Sequence, residues 1–126
     1  MNAISIRAPW WWFILYAGKD IENRDWYTNY RGKVLIHASK WFGKQEVYDD
    51  FQDAKEFAGL VGLPSVTLGD MRCLGGHIVG SVEIVGCITK SDSPWFFGKY
   101  GFVLKNPVAL EKPYPVKGAL GFFDVT

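Results

Sequence analysis

His77-Ile78-Val79-Gly80-Ser81-Val82-Glu83-Ile84-Val85-Gly86-Cys87-Ile88-Thr89-Lys90 is the longest strand candidate in the chain, and its pattern points to a curled sheet. Ile78, Val82, Ile84 and Ile88 share one face with Gly80 and Gly86, while Val79, Ser81, Glu83, Val85 and Cys87 share the other. Glycines inside so apolar a strand suit the bends where a sheet curls toward a barrel. Gly32–Ala38 is a second strand, its Val-Leu-Ile run pointing to burial on both faces. Asn2–Arg7 alternates Ile4 and Ile6 against Ser5 and Arg7, as a half-buried strand does. Ile21–Trp26 can extend as a short strand before a turn or exposed loop over Asp25–Gly32. Tyr100–Lys105 and Gly118–Val125 read as two more strands, separated by a proline-punctuated segment.

Helices fill the gaps. Pro9–Ala17 begins with a proline and is followed by Gly18, which frames a helix apolar around its whole circumference that other elements must cover. Gly43–Gly59 places Val47, Phe51, Ala54, Phe57 and Ala58 at helical spacing with acids early and a glycine at the end. Leu60–Gly76 reads as a long connection with one helical turn, and Ser91–Lys99 as a loop carrying Pro94-Trp95-Phe96-Phe97. Together these predict an α+β fold, a small mixed β-barrel with two or three helices packed around it. With no repeat, low-complexity tract or linker, residues 1–126 are expected to form one domain.

Composition agrees and removes several function classes. The chain has 126 residues, 48% of them hydrophobic and 17% aromatic, enough apolar area to offset chain entropy. A formal net charge of +1 excludes a uniformly basic nucleic-acid coat, so any anion site must be local. Residues 1–44 hold seven basic residues against three acids, a net +4, and the remainder carries −3. The basic excess is interleaved with Trp10, Trp26, Tyr27, Tyr30 and Trp41, a mixture that suits either a polyanion with stackable bases or a solvated surface over an aromatic core. Cys73 and Cys87 stand 14 positions apart with no metal-ligand spacing; neither a zinc site nor a disulfide framework is indicated, and both are expected as reduced, buried thiols. The longest apolar run, Pro9–Ala17, falls short of the roughly 20 residues that span a bilayer and lacks a cleavage signal. No metal, cofactor or membrane partner is expected, and the expected location is cytoplasmic.

The informative cluster is Gly18-Lys19-Asp20-Ile21-Glu22-Asn23-Arg24. If Ile21–Asp25 is extended, Glu22 and Arg24 project to one face about 7 Å apart, with Trp26 next along it. Lys19, at the turn, can fold back over them. The set suits a nucleotide, with Arg24 or Lys19 on phosphate, Glu22 on a base or sugar donor and Trp26 stacking. Taken by spacing alone it reads first as a structural ion bridge, which at a surface contributes only about 0–1 kcal/mol.

Three stretches carry a resemblance: Ser5-Ile6-Arg7-Ala8-Pro9-Trp10, the Gly18–Arg24 cluster, and Arg31-Gly32-Lys33-Val34-Leu35-Ile36-His37-Ala38-Ser39. With Gly80-Ser81-Val82-Glu83, Tyr100-Gly101-Phe102-Val103-Leu104 and Gly118-Ala119-Leu120-Gly121-Phe122, they resemble the small bacterial and prophage-type members of the ASCH (activating signal cointegrator homology) family. That family's hallmark is a G-x-K-x-x-E-x-R motif after the first helix. The resemblance covers essentially the whole chain. It implies a PUA-like barrel whose cleft has Lys19, Glu22 and Arg24 as its polar core, in a superfamily whose relatives bind RNA or modified bases. It also implies a possible enzyme, since some members hydrolyse N-acylated cytidine and others have been assigned ribonuclease activity. This chain departs from the cytidine-amide hydrolases in having Glu22 where they have Thr, and Ala8-Pro9-Trp10-Trp11 departs from the common Gln-Pro-Trp-Ala.

Three functions follow as expectations: binding of RNA, single-stranded nucleic acid or a modified nucleoside; hydrolysis of such a nucleoside or of RNA; or protein interaction through exposed aromatics. In the hydrolytic case Lys19 and Glu22 share proton transfer, and Arg24 holds a phosphate or oxyanion. The candidate binding residues are Arg7, Lys19, Glu22, Arg24, Trp26, Ser39, Lys40, Ser81 and Glu83. Each has a plainer alternative: Ser39 and Lys40 as turn residues, Ser81 as barrel packing, His37 and His77 as satisfied structural histidines. Trp95-Phe96-Phe97 is a stacking surface, a lid or a plug beneath the barrel.

Overall fold

The first strand and helix form where the residue pattern requires them. β1 (Asn2–Ile6) buries Ala3, Ile4 and Ile6. α1 (Trp10–Tyr16) follows Pro9 and ends before Gly18, whose φ of +75° lets the chain reverse with no steric cost. Trp11, Phe13, Ile14 and Leu15 are buried and Trp10 and Trp12 pack against the core, which leaves Tyr16 as the exposed side of this apolar helix. The reversal leads directly into β2 (Ile21–Arg24). The description comes from a computed structural model and covers residues 1–41, 45–64 and 66–125, with the backbone alone at Val66. The expected helix start at Gly43 and the expected domain end at residue 126 lie outside the described residues.

β3 (Gly32–Ala38), β4 (His77–Ile88), β5 (Tyr100–Pro115) and β6 (Phe122–Asp124) complete one six-stranded sheet in the order β2-β5-β4-β3-β1-β6. β1 and β3 are parallel because α1 and β2 carry the chain across between them; the other described pairs are antiparallel. The sheet curls into a half-barrel. Register slips between β4 and β5 at Ile78/Gly80, Ser81/Glu83 and Ile84/Gly86 supply the bends. At Gly80 a Cβ would stand 2.5 Å from the Val108 carbonyl oxygen and 2.7 Å from Leu15, so the bend also admits α1 onto the inner face of β4. Across the open side, the Arg24 Nη2 donates to the Ser5 carbonyl at 2.8 Å, and Phe102 and Phe122 stack with planes 11° apart.

α2 (Gln45–Phe57) buries Val47, Phe51 and Ala54 and closes at Gly59 (φ +69°), where Leu60 N–H donates to the Lys55 carbonyl at 2.7 Å. Three expectations need correction. The connection after Leu60 holds a full helix, α3 (Val66–Cys73); Gly69 in its middle and a two-residue buried pattern, Leu68 and Met71, hid it. β5 runs on through Pro107, Pro113 and Pro115, because its pairing with β2 ends at Val103 and prolines on the resulting free edge cost no ladder bond. Cys73 is exposed and Cys87 half-buried, because Cys73 closes α3 on its outer side. Among the described residues no helix is long and apolar enough to cross a membrane.

Candidate functional site

Gly18 ends α1 so abruptly that Lys19 turns under the helix, its N–H bonded to the Phe13 carbonyl at 3.1 Å. Its side chain is 2% exposed, and the ammonium donates to the Ile21 carbonyl and stands 3.7 Å from Glu22 Oε1. It also lies over the rings of Trp10 and Trp95, 5.5 and 5.8 Å from their centroids. Glu22 and Arg24 share a face of β2, and Arg24 Nη2 meets Glu22 Oε2 at 3.0 Å. Arg24 therefore spans two jobs, holding Glu22 and tying β2 to β1 through Ser5. Both bonds use Nη2, and the buried Nε has no partner among the described residues. Burial lowers the Lys19 pKa from its ordinary 10.5; Glu22 and then Asp20 oppose the shift, and Arg24 adds to it.

Around this core lies a cleft of about 740 Å³. Arg7, Ser5 and Ser39 form one side. Arg7 crosses to α2, pairing with Glu46 and, at 3.2 Å, with Asp50. Asp50, Asp53 and Phe57 line the opposite wall from one stripe of α2. Partial burial raises the Asp50 pKa; Arg7 opposes it, and Glu46, Asp53 and Asp49 add to it. Trp95 and Phe97 close the end. Asn23 holds their loop, donating to the Trp95 carbonyl and accepting from Phe97 N–H, both at 2.8 Å. Phe57 packs edge-on to Trp95, 5.8 Å between ring centres.

Of the residues singled out in the sequence, Arg7, Lys19, Glu22, Arg24 and Ser39 come together here. Lys40 lines an adjoining groove. Trp26 does not reach the cleft: β2 ends at Arg24, the chain bends at Asp25, and the indole instead packs edge-on to Phe102 and Phe122. The aromatic walls come from Trp10 and Trp95. Ser81 is buried in β4 between Leu35 and Val108, in the packing role weighed for it. Glu83 sits opposite Lys33 and Lys105 and accepts from Asn106, so the further carboxylates of the cleft are Asp50 and Asp53. His37 is satisfied on both nitrogens, by Ser5 Oγ at 2.8 Å and the Val116 carbonyl at 2.7 Å. Asn23, Asp50, Asp53 and Phe57 were not singled out; the spacing of 50, 53 and 57 along one helix face was their available signal.

The arrangement brings a partly exposed guanidinium, a carboxylate acceptor and flat apolar walls to one point, the elements that recognise a base or a small planar amide. The family model described as ASCH domain matches residues 4–117. Activating signal cointegrator 1 of Homo sapiens is 25% identical over 128 residues, covering 91% of this chain and 20% of that protein. The Mus musculus protein of the same name is 24% identical over 123 residues, again with 91% and 20% covered. The chain thus spans about a fifth of the length of the curated relatives it matches.

Proposed function

The chain belongs to the ASCH domain family, and from that premise we propose that its cleft binds single-stranded RNA by taking in one unstacked base at Lys19, Glu22 and Arg24. The observation that carries this reading is the buried ion set opening into an aromatic-walled cleft. A buried pair of charges is a poor stabilising device compared with apolar packing, and its place on the wall of a cleft supports a role in recognition. Glu22 accepts from base amino or imino groups, the partly exposed Arg24 guanidinium donates to a carbonyl, and Trp10 and Trp95 supply ring contact. A volume of about 740 Å³ lies well inside the range of small-ligand sites and leaves room for a base bearing an acyl or alkyl group.

The test is binding of short single-stranded RNA by fluorescence anisotropy, with thermal melts of each variant as a folding control. Lys19→Ala together with Arg24→Ala removes two charge-assisted contacts and should weaken binding by about 10- to 100-fold. Trp10→Leu, which leaves the ions in place, should weaken it by a factor of about 5 to 100, the range of one base–aromatic contact. Unchanged affinity in folded variants of both kinds contradicts the reading.

A second reading draws on the lowered proton affinity of Lys19. Lys19 and Glu22, 3.7 Å apart, share the proton taken from water as it adds to the amide carbonyl of an N-acylated base, releasing the acid and the amine. Product formation that disappears in Lys19→Ala would select this enzyme; full turnover in Glu22→Gln would exclude the shared proton transfer.

A further inference from the structure

Ser5 and Ser39 line two depressions at once: the cleft, and a groove of about 880 Å³ beside it. The two differ in charge. The cleft sets Glu22, Asp50 and Asp53 against Arg7, Lys19 and Arg24, whereas the groove holds Lys40 and Lys117 and, among its described lining residues, no carboxylate. Neither lysine is paired with a carboxylate among the described residues. The groove is a built feature. Gly76 lies at its floor, pinned by its N–H to the Ala38 carbonyl at 2.7 Å and by its carbonyl to Val116 N–H at 3.0 Å. A Cβ at Gly76 would stand 3.1 Å from Lys40 Cε and 3.5 Å from Cγ, so the absent side chain is what lets the lysine stem lie along the floor.

Resting on the reading of the cleft as a base site, we propose that this groove is a second subsite, which binds the phosphodiester backbone next to the inserted base. A lone base or nucleoside gains nothing from unpaired lysines beyond the serine rim; a chain whose phosphates leave the cleft past Ser5 and Ser39 does. The charge division follows the same logic: balanced donors and acceptors where a base must be read, unopposed lysines where phosphates must pass. The ligand is then an RNA strand of several nucleotides, with a free nucleoside filling half of the site.

The experiment titrates intrinsic tryptophan fluorescence with two probes, a mixed pool of the four ribonucleoside 5′-monophosphates and a degenerate tetraribonucleotide. The wild-type chain should prefer the tetranucleotide at least tenfold. Lys40→Ala with Lys117→Ala, both surface changes, should shrink that preference by about tenfold and make the salt dependence of tetranucleotide binding shallower by about 1.4 in slope. A double variant that keeps the whole preference overturns the groove. The cleft reading fails separately, when Lys19→Ala with Arg24→Ala weakens neither probe.

Discussion

Glu22→Gln should cost about 3 to 5 kcal/mol, lowering Tm by at least about 10 °C in a domain of this size. The amide keeps the shape and removes the one charge that meets both Lys19 and Arg24 in a place almost closed to water. Calorimetry of a double-mutant cycle isolates the coupling. Lys19→Met added to Glu22→Gln should recover at least about 1 kcal/mol, because replacing a buried ion by an apolar side chain removes its desolvation cost. A Lys19→Met change as harmful in that background as in the wild type would show that the two groups are not coupled. The pH dependence has a defined sign. Lys19 in the folded chain has a pKa below 10.5, so between that lowered value and 10.5 the unfolded chain binds more protons and stability rises with pH. Glu22→Gln deletes the largest opposing influence, moves the Lys19 pKa lower and extends the rising limb toward neutral pH.

Phe13→Ala should cost a similar amount, about 3 to 5 kcal/mol, and should also weaken cleft binding. Phe13 is fully buried, with its ring 6.2 Å from Phe51 of α2 and 5.8 Å from Trp95. Deleting it leaves a cavity at the point where α1, α2 and the Trp95 loop meet. The loop still has its Asn23 bonds, but Trp95 loses the surface that sets its ring beside Lys19. Thermal melts read the first effect and RNA titration the second. Tyr16→Ala on the same helix, at an exposed position, should stay within about 0.5 kcal/mol and is the control. Phe13→Ala with wild-type RNA affinity would show that Trp95 needs no support from the core.

What the sequence disclosed follows the range of the forces involved. β3 was legible to the residue, because a β-branched run bounded by Gly32 is a local signal. The curl of β4 was legible from Gly80 and Gly86, since glycine in an apolar strand has few other uses. Glu22 and Arg24 followed from alternation over three residues, and Lys19 from the turn that Gly18 allows. Trp26 was carried one repeat too far; where a strand stops depends on its partner, and β2 pairs with β5 only as far as Tyr100. Asp50, Asp53 and Phe57 formed a visible stripe, but that the stripe faces the cleft depends on how α2 docks beside Arg7, a tertiary fact with no local trace. The same holds for β5 beyond Lys105, whose prolines read as a break until its outer edge is seen to have no partner.

Entry of a base beside Lys19, next to Trp10 and Trp95, is read directly by the indole N–H resonances of the six tryptophans. Titration of ¹⁵N-labelled protein with short single-stranded RNA should move the Trp10 and Trp95 signals in a saturable way and leave that of Trp26, enclosed by Phe102 and Phe122, in place. Saturable shifts at Trp26 with Trp10 and Trp95 unmoved would contradict it.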